Sequence, residues 1–178
     1  MSNYKYILVC LIAAVLSILI HELTHWVTGE LLGYKMIMTL NGGWPAKGFY
    51  DAHWHYTLIS AVGPGITLIQ TALFFLVLKK YPNFYLYPFL FAPFFLELLS
   101  GLMNFRNPND LGRISNTYHL GLFTLSILVV AIHFMFIYST SKERGYTWKF
   151  NLITFAWVCL FSFVWIGINQ IEKVYLIK

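Results

Sequence analysis

Apolar residues along this 178-residue chain come in long runs that polar residues only punctuate. A helix rising 1.5 Å per residue needs roughly 20 apolar residues to cross about 30 Å of hydrocarbon. Five runs approach that length: residues 4–33, 55–78, 84–104, 117–138 and 150–171. The pattern predicts an all-α polytopic membrane protein with about five transmembrane helices and short connections, hence one membrane domain over residues 1–178. Two connections carry a pattern of their own. In residues 34–41, Met36, Met38 and Leu40 alternate with Lys35, Ile37 and Thr39, and Asn41-Gly42-Gly43 supplies turn chemistry, so a short strand or hairpin is expected after the first helix. In residues 106–115, Asn107-Pro108-Asn109-Asp110 ends the third helix in a polar loop, which at membrane depth must be shielded by protein or line a water-filled cavity. Lys5 followed by an apolar stretch has the outline of a signal peptide, but no small-residue cleavage pattern follows and the run reads as a membrane helix.

Composition supports this and excludes other classes. The chain is 58% hydrophobic and 11% charged, with a mean hydropathy of +0.65, whereas soluble domains carry roughly a quarter charged residues. The 12 basic residues outnumber the 7 acidic ones, but they are scattered singly or in pairs between apolar runs, so they read as membrane flanks and no nucleic-acid partner is expected. Lys5, Lys79, Lys80, Lys142, Arg144 and Lys149 fall on the side of the N-terminus, and Lys35, Lys47, Arg106, Arg113, Lys173 and Lys178 on the other, so charge does not orient the protein. Cys10 and Cys159 both lie in apolar runs and make no disulfide framework.

One short segment carries chemistry. His21-Glu22-Leu23-Thr24-His25 places two imidazoles four residues apart, about 40° around a helix and roughly 6 Å along it, so that both reach one metal ion. A glutamate between them can act as general base on water, which makes this spacing a zinc-hydrolase signature. Ionisable groups inside an apolar helix are costly in lipid and mark function by default; the bland reading is a helix end wetted by headgroups. Zinc in a hydrolase takes three protein ligands and leaves a fourth position for water. The third helix runs parallel to the first, and its exit loop brings Asp110 to the depth of His21 and His25. Asp110 is the preferred third ligand and His119, at the start of the fourth helix, is the alternative. Glu97, midway along the third helix, suits a hydrogen-bonded packing role, and Glu30, half a turn round the helix from His21, faces away. Gly63-Pro64-Gly65 lies near the depth of the motif, where small residues allow close backbone approach and proline favours a kink. His53 and His55, flanking Trp54, read as an interfacial belt.

These residues resemble the site-2 protease family of intramembrane zinc metalloproteases. The resemblance spans residues 5–115 and rests on His21 to His25, on Ala61-Val62-Gly63-Pro64 in the next helix, and on Asn104, Pro108, Asp110 and Gly112 after the third. It departs from the family where Leu111 separates Asp110 from Gly112 and where the step from Asn104 to Asp110 is short. The resemblance implies a three-helix catalytic core, with residues 116–178 adding two accessory helices. It further implies one zinc ion per chain on His21, His25 and Asp110, Glu22 as the base, Asn104 as a holder of substrate or oxyanion, and pairing of residues 34–41 with an unwound substrate. The expected substrate is a single-spanning membrane protein, the expected setting the bilayer of the cell membrane with the zinc nearer the cytosol. Two other classes fit the motif alone: a catalytically silent zinc-binding scaffold, and a metal transporter, which the lack of an internal repeat disfavours. A di-iron hydroxylase would need more than the chain's six histidines. Oligomeric state is not legible.

Overall fold

The computed structural model describes residues 3–178. Among them the chain forms six α-helices and three short strands: α1 (Asn3–Leu31), β1 (Met36–Thr39), β2 (Gly42–Pro45), α2 (His53–Lys80), α3 (Pro88–Met103), α4 (Asp110–Thr117), α5 (Thr124–Arg144), α6 (Trp148–Glu172) and β3 (Tyr175–Ile177). A single 3-10 turn, Phe84–Leu86, leads into α3. Five helical stretches are long and apolar enough to cross a membrane, which makes this an integral membrane protein. Their outer faces carry Leu8, Leu76, Ile127, Met135 and Leu152, each more than half exposed, as a chain solvated by lipid requires.

Helix α1 is central and packs on α2, α3 and α6, while α5 lies against α2 and α3. Towards the N-terminal end of α1 the bundle is filled by aromatic residues around Tyr6, Tyr87, Phe91 and Phe95. Two buried hydroxyls in this region are paired, Tyr6 with Thr154 at 2.6 Å and Tyr87 donating to Asn151 Oδ1 at 2.7 Å, whereas the buried Thr140 hydroxyl has no partner among the described residues. An unpaired hydroxyl there carries its full desolvation cost. The polar residues instead gather towards the other end of α1.

The expected hairpin forms with one shift. Its two-residue turn is Leu40-Asn41 rather than Asn41 to Gly43, and β1 pairs antiparallel with β2 in the register Met36↔Pro45 to Thr39↔Gly42. Glu30, facing away from the motif as its spacing requires, accepts the Met36 backbone N–H at 2.7 Å, and Trp26 Nε1 donates to the Met36 carbonyl at 3.2 Å. The hairpin is thereby pinned to α1. Strand β3 completes a sheet of order β2-β1-β3. Two other boundaries also differ from the reading of the sequence. The polar loop over residues 106–115 is half helix, because Asn109 adopts an extended N-cap backbone and α4 starts at Asp110. The fourth membrane helix accordingly starts at Thr124 and not near residue 117. Helix α2 continues through Pro64.

Candidate metal centre

The helical spacing of His21 and His25 turns both rings inward at the same level of α1, with centroids 4.7 Å apart and planes at 75°. Their Nε2 atoms lie 3.0 Å from each other. Asp110 enters from α4 with Oδ2 3.2 Å from His21 Nε2 and 3.4 Å from His25 Nε2. All three residues are buried, and this group can hold a metal ion. His25 Nδ1 donates to the Ile59 carbonyl at 2.5 Å, so the proton of the neutral ring is on Nδ1 and the Nε2 lone pair faces the cluster. Lone pairs and a carboxylate oxygen converging at this range repel one another unless a proton or a cation sits among them.

Asp110 is placed by several contacts. Asn104 Oδ1 accepts the Asn109 backbone N–H at 2.7 Å, and its Nδ2 donates to Ser126 Oγ at 3.1 Å. Gly112 closes against this amide so tightly that a Cβ there would overlap the Asn104 side chain. The Asn104 amide is thus committed at both ends, Oδ1 to the turn before α4 and Nδ2 to α5, and the side chain does not line the cavity described below. Asp110 opens α4, where a carboxylate suits the positive end of the helix dipole, and its Oδ1 lies 3.8 Å from Arg113 Nη1. Burial alone would raise the pKa of Asp110, but the neighbouring imidazoles, His25 foremost, outweigh it and hold the carboxyl below its ordinary range.

Helix α2 supplies the third wall. A Cβ on Gly63 would fall within contact of His25 Nε2 and 2.6 Å from His21 Nε2, so only glycine lets this backbone approach the two rings. The close approach inferred from Gly63-Pro64-Gly65 therefore belongs to its first residue; a Cβ on Gly65 meets nothing within 4 Å.

A cavity of about 420 Å³ opens from the cluster. Glu22 lines it beside His21 and His25, β2 contributes Gly42, Gly43 and Trp44, and Arg113 and Asn109 give it a polar side. Ile166 and Gln170 close it from α6. Of the polar residues in the 106–115 segment, Asn109 and Arg113 line the cavity, whereas Arg106 and Asn107 do not. His119 is exposed in the α4–α5 connection, with φ of 55°, and is not part of the cluster. His53 and Trp54 are exposed at the start of α2, and the His55 ring packs edge-on against Trp54 with centroids 3.9 Å apart while its Nδ1 lies 2.6 Å from the Tyr34 hydroxyl. Glu97, missed as a neighbour of the motif, is fully buried with Oε1 3.7 Å from His21 Nδ1. Depth along the helices held only a coarse signal: counting from the starts of the apolar runs puts Glu97 about 20 Å along the third helix and His21 about 26 Å along the first. No protein-family model matches the chain, nor does any curated protein or solved structure.

Proposed function

We propose that this chain is an intramembrane zinc metalloprotease that hydrolyses a peptide bond in or near the transmembrane segment of a single-spanning membrane protein, with one zinc ion per chain and the cell membrane as its setting. The observation that carries the reading is the mutual spacing of His21 Nε2, His25 Nε2 and Asp110 Oδ2, 3.0 to 3.4 Å. Donors about 2.0–2.1 Å from a tetrahedral zinc lie roughly 3.3–3.4 Å from one another. Three protein donors of nitrogen and oxygen type leave one position open, as a hydrolytic site requires and a structural zinc site does not.

Zinc bound there supplies Lewis acidity towards the scissile carbonyl and lowers the pKa of water. The chain's own residues do the rest. Glu22, on the cavity wall between the two ligand histidines, takes the proton of the attacking water and passes it to the leaving amine. Asn109, Arg113 and Gln170 keep that part of the cavity polar enough to admit water. The hairpin stands beside it, since a Cβ on Gly43 would lie 3.8 Å from His25 Cβ; the expected pairing of a substrate with residues 34–41 does not fit, because β1 is paired on both edges by β2 and β3, and an unwound substrate laid along β2 instead would pass the cluster.

The test is metal analysis of the detergent-purified protein, paired with cleavage of a generic transmembrane substrate. One zinc per chain, kept without cleavage in Glu22→Gln and lost in Asp110→Ala, is the expected result. Zinc kept by an inactive wild type would favour the silent scaffold. A wild type that takes up no zinc when zinc is supplied would remove the enzyme reading.

A further inference from the structure

The two ligand histidines are not supported alike. His25 has its Nδ1 proton fixed by the Ile59 carbonyl, whereas His21 Nδ1 is buried and has no hydrogen-bond partner among the described residues. The acceptor facing it is Glu97, at 3.7 Å. Glu97 is itself fully buried; Oε1 accepts from Thr67 Oγ1 at 2.8 Å and Oε2 has no partner. Orphaned polar atoms in an apolar interior carry a desolvation cost, and His21 Nδ1 stands less than about 1 Å beyond hydrogen-bond distance from Oε1 of the same carboxylate whose Oε2 is unpartnered. A small rotation of the His21 ring would bring Nδ1–H onto the carboxylate.

We propose that Glu97 is the positioning residue of the metal centre: it accepts the His21 Nδ1 proton, fixes the tautomer that leaves Nε2 free to ligate, and raises the basicity of that ring. The proposal rests on the zinc reading of the site but not on proteolysis. Carboxylate support behind a ligand histidine is worth 10- to 100-fold in metal affinity. Thr67 fits the same design, because its hydroxyl holds the carboxylate at the His21 side of α3.

The experiment is zinc affinity by chelator competition on the full-length protein in detergent, for wild type, Glu97→Gln, Glu97→Leu and Gln70→Leu. Gln70 serves as the control, since it is a buried polar residue of the bundle that bonds to Ser17 Oγ at 2.7 Å and touches no ligand. Expected are a loss of about 10- to 100-fold in Glu97→Leu and a smaller loss in Glu97→Gln, which keeps an acceptor but not the charge. Gln70→Leu is expected to lower the thermal midpoint and leave zinc affinity unchanged. Cobalt loaded in place of zinc gives a second readout, with the visible ligand-field bands shifted in Glu97→Gln relative to wild type. Wild-type affinity in both Glu97 variants, or an equal loss in Gln70→Leu, overturns the positioning role while leaving the metal centre standing. A wild type that binds no zinc overturns both.

Discussion

The most direct probe of the centre's construction is a single methyl group on α2. Gly63→Ala would put a Cβ 2.6 Å from His21 Nε2 and closer still to His25 Nε2. An ordinary contact needs about 3.5 Å, so roughly 0.9 Å of overlap must be relieved. Nothing flexible can give way: the obstructing atoms are the ligand nitrogens, and His25 is tied back to the Ile59 carbonyl of the same α2 segment. Either the rings turn out of the cluster or α2 withdraws and lengthens that bond. Overpacking of this kind costs about 1–3 kcal/mol, and if the strain falls on the metal-bound arrangement it weakens zinc by roughly 5- to 150-fold at 1.4 kcal/mol per decade. The assay is chelator competition on purified protein, with far-ultraviolet circular dichroism to confirm helix content. Gly65→Ala is the internal control, because its Cβ meets open space, and it should bind zinc as wild type does. Equal affinity in Gly63→Ala and wild type would refute the argument that backbone approach at Gly63 shapes the site.

Further predictions follow from the same geometry. His25→Ala should lose zinc, while His119→Ala, at an exposed connection, should keep one zinc per chain by metal analysis. Asn104→Ala leaves the Asn109 N–H and the Ser126 hydroxyl without their partner, a cost of about 1–3 kcal/mol for each buried group left unsatisfied; a lower thermal midpoint together with weaker zinc binding is expected, because the same turn delivers Asp110. Stripping the metal with a chelator should lower the thermal midpoint, and restoring zinc should raise it in a concentration-dependent way, since a ligand of the folded state alone stabilises it by mass action.

Much of this was legible because the bilayer limits what a chain can do. Apolar runs of membrane length locate the five spanning helices, and the four-residue step from His21 to His25 guarantees that the two rings share a face. What the sequence hides is short or non-local. Helix α4 has eight residues and no apolar run, so its start at Asp110 depends on the backbone of Asn109 and the bond from Asn104. Residues 118–123 are apolar enough to join the fourth span, but positive φ at His119 and Gly121 turns the chain before α5 begins. Strand β3 is three residues long and pairs with β1, from Met38 to Ile177, across most of the chain. No local alternation of residues announces such a partner.

The helix with no readable motif acts through these hidden contacts. α6 carries Trp165, whose Nε1 donates to the Leu40 carbonyl at 3.0 Å, and Asn169, whose Nδ2 donates to Thr39 Oγ1 at 3.2 Å and to Asn41 Oδ1. These bonds reach the hairpin turn and the last residue of β1, and β3 then binds the far edge of β1. Ile166 and Gln170, on the same stretch of α6, line the cavity. The hairpin is therefore held from two sides, by Glu30 and Trp26 of α1 and by α6, while β2 keeps an edge free beside the histidines. Exposed polar backbone in a membrane must be shielded or lie against water. A hairpin fixed on one edge and open on the other, next to a polar cavity, meets that requirement beside the candidate metal cluster.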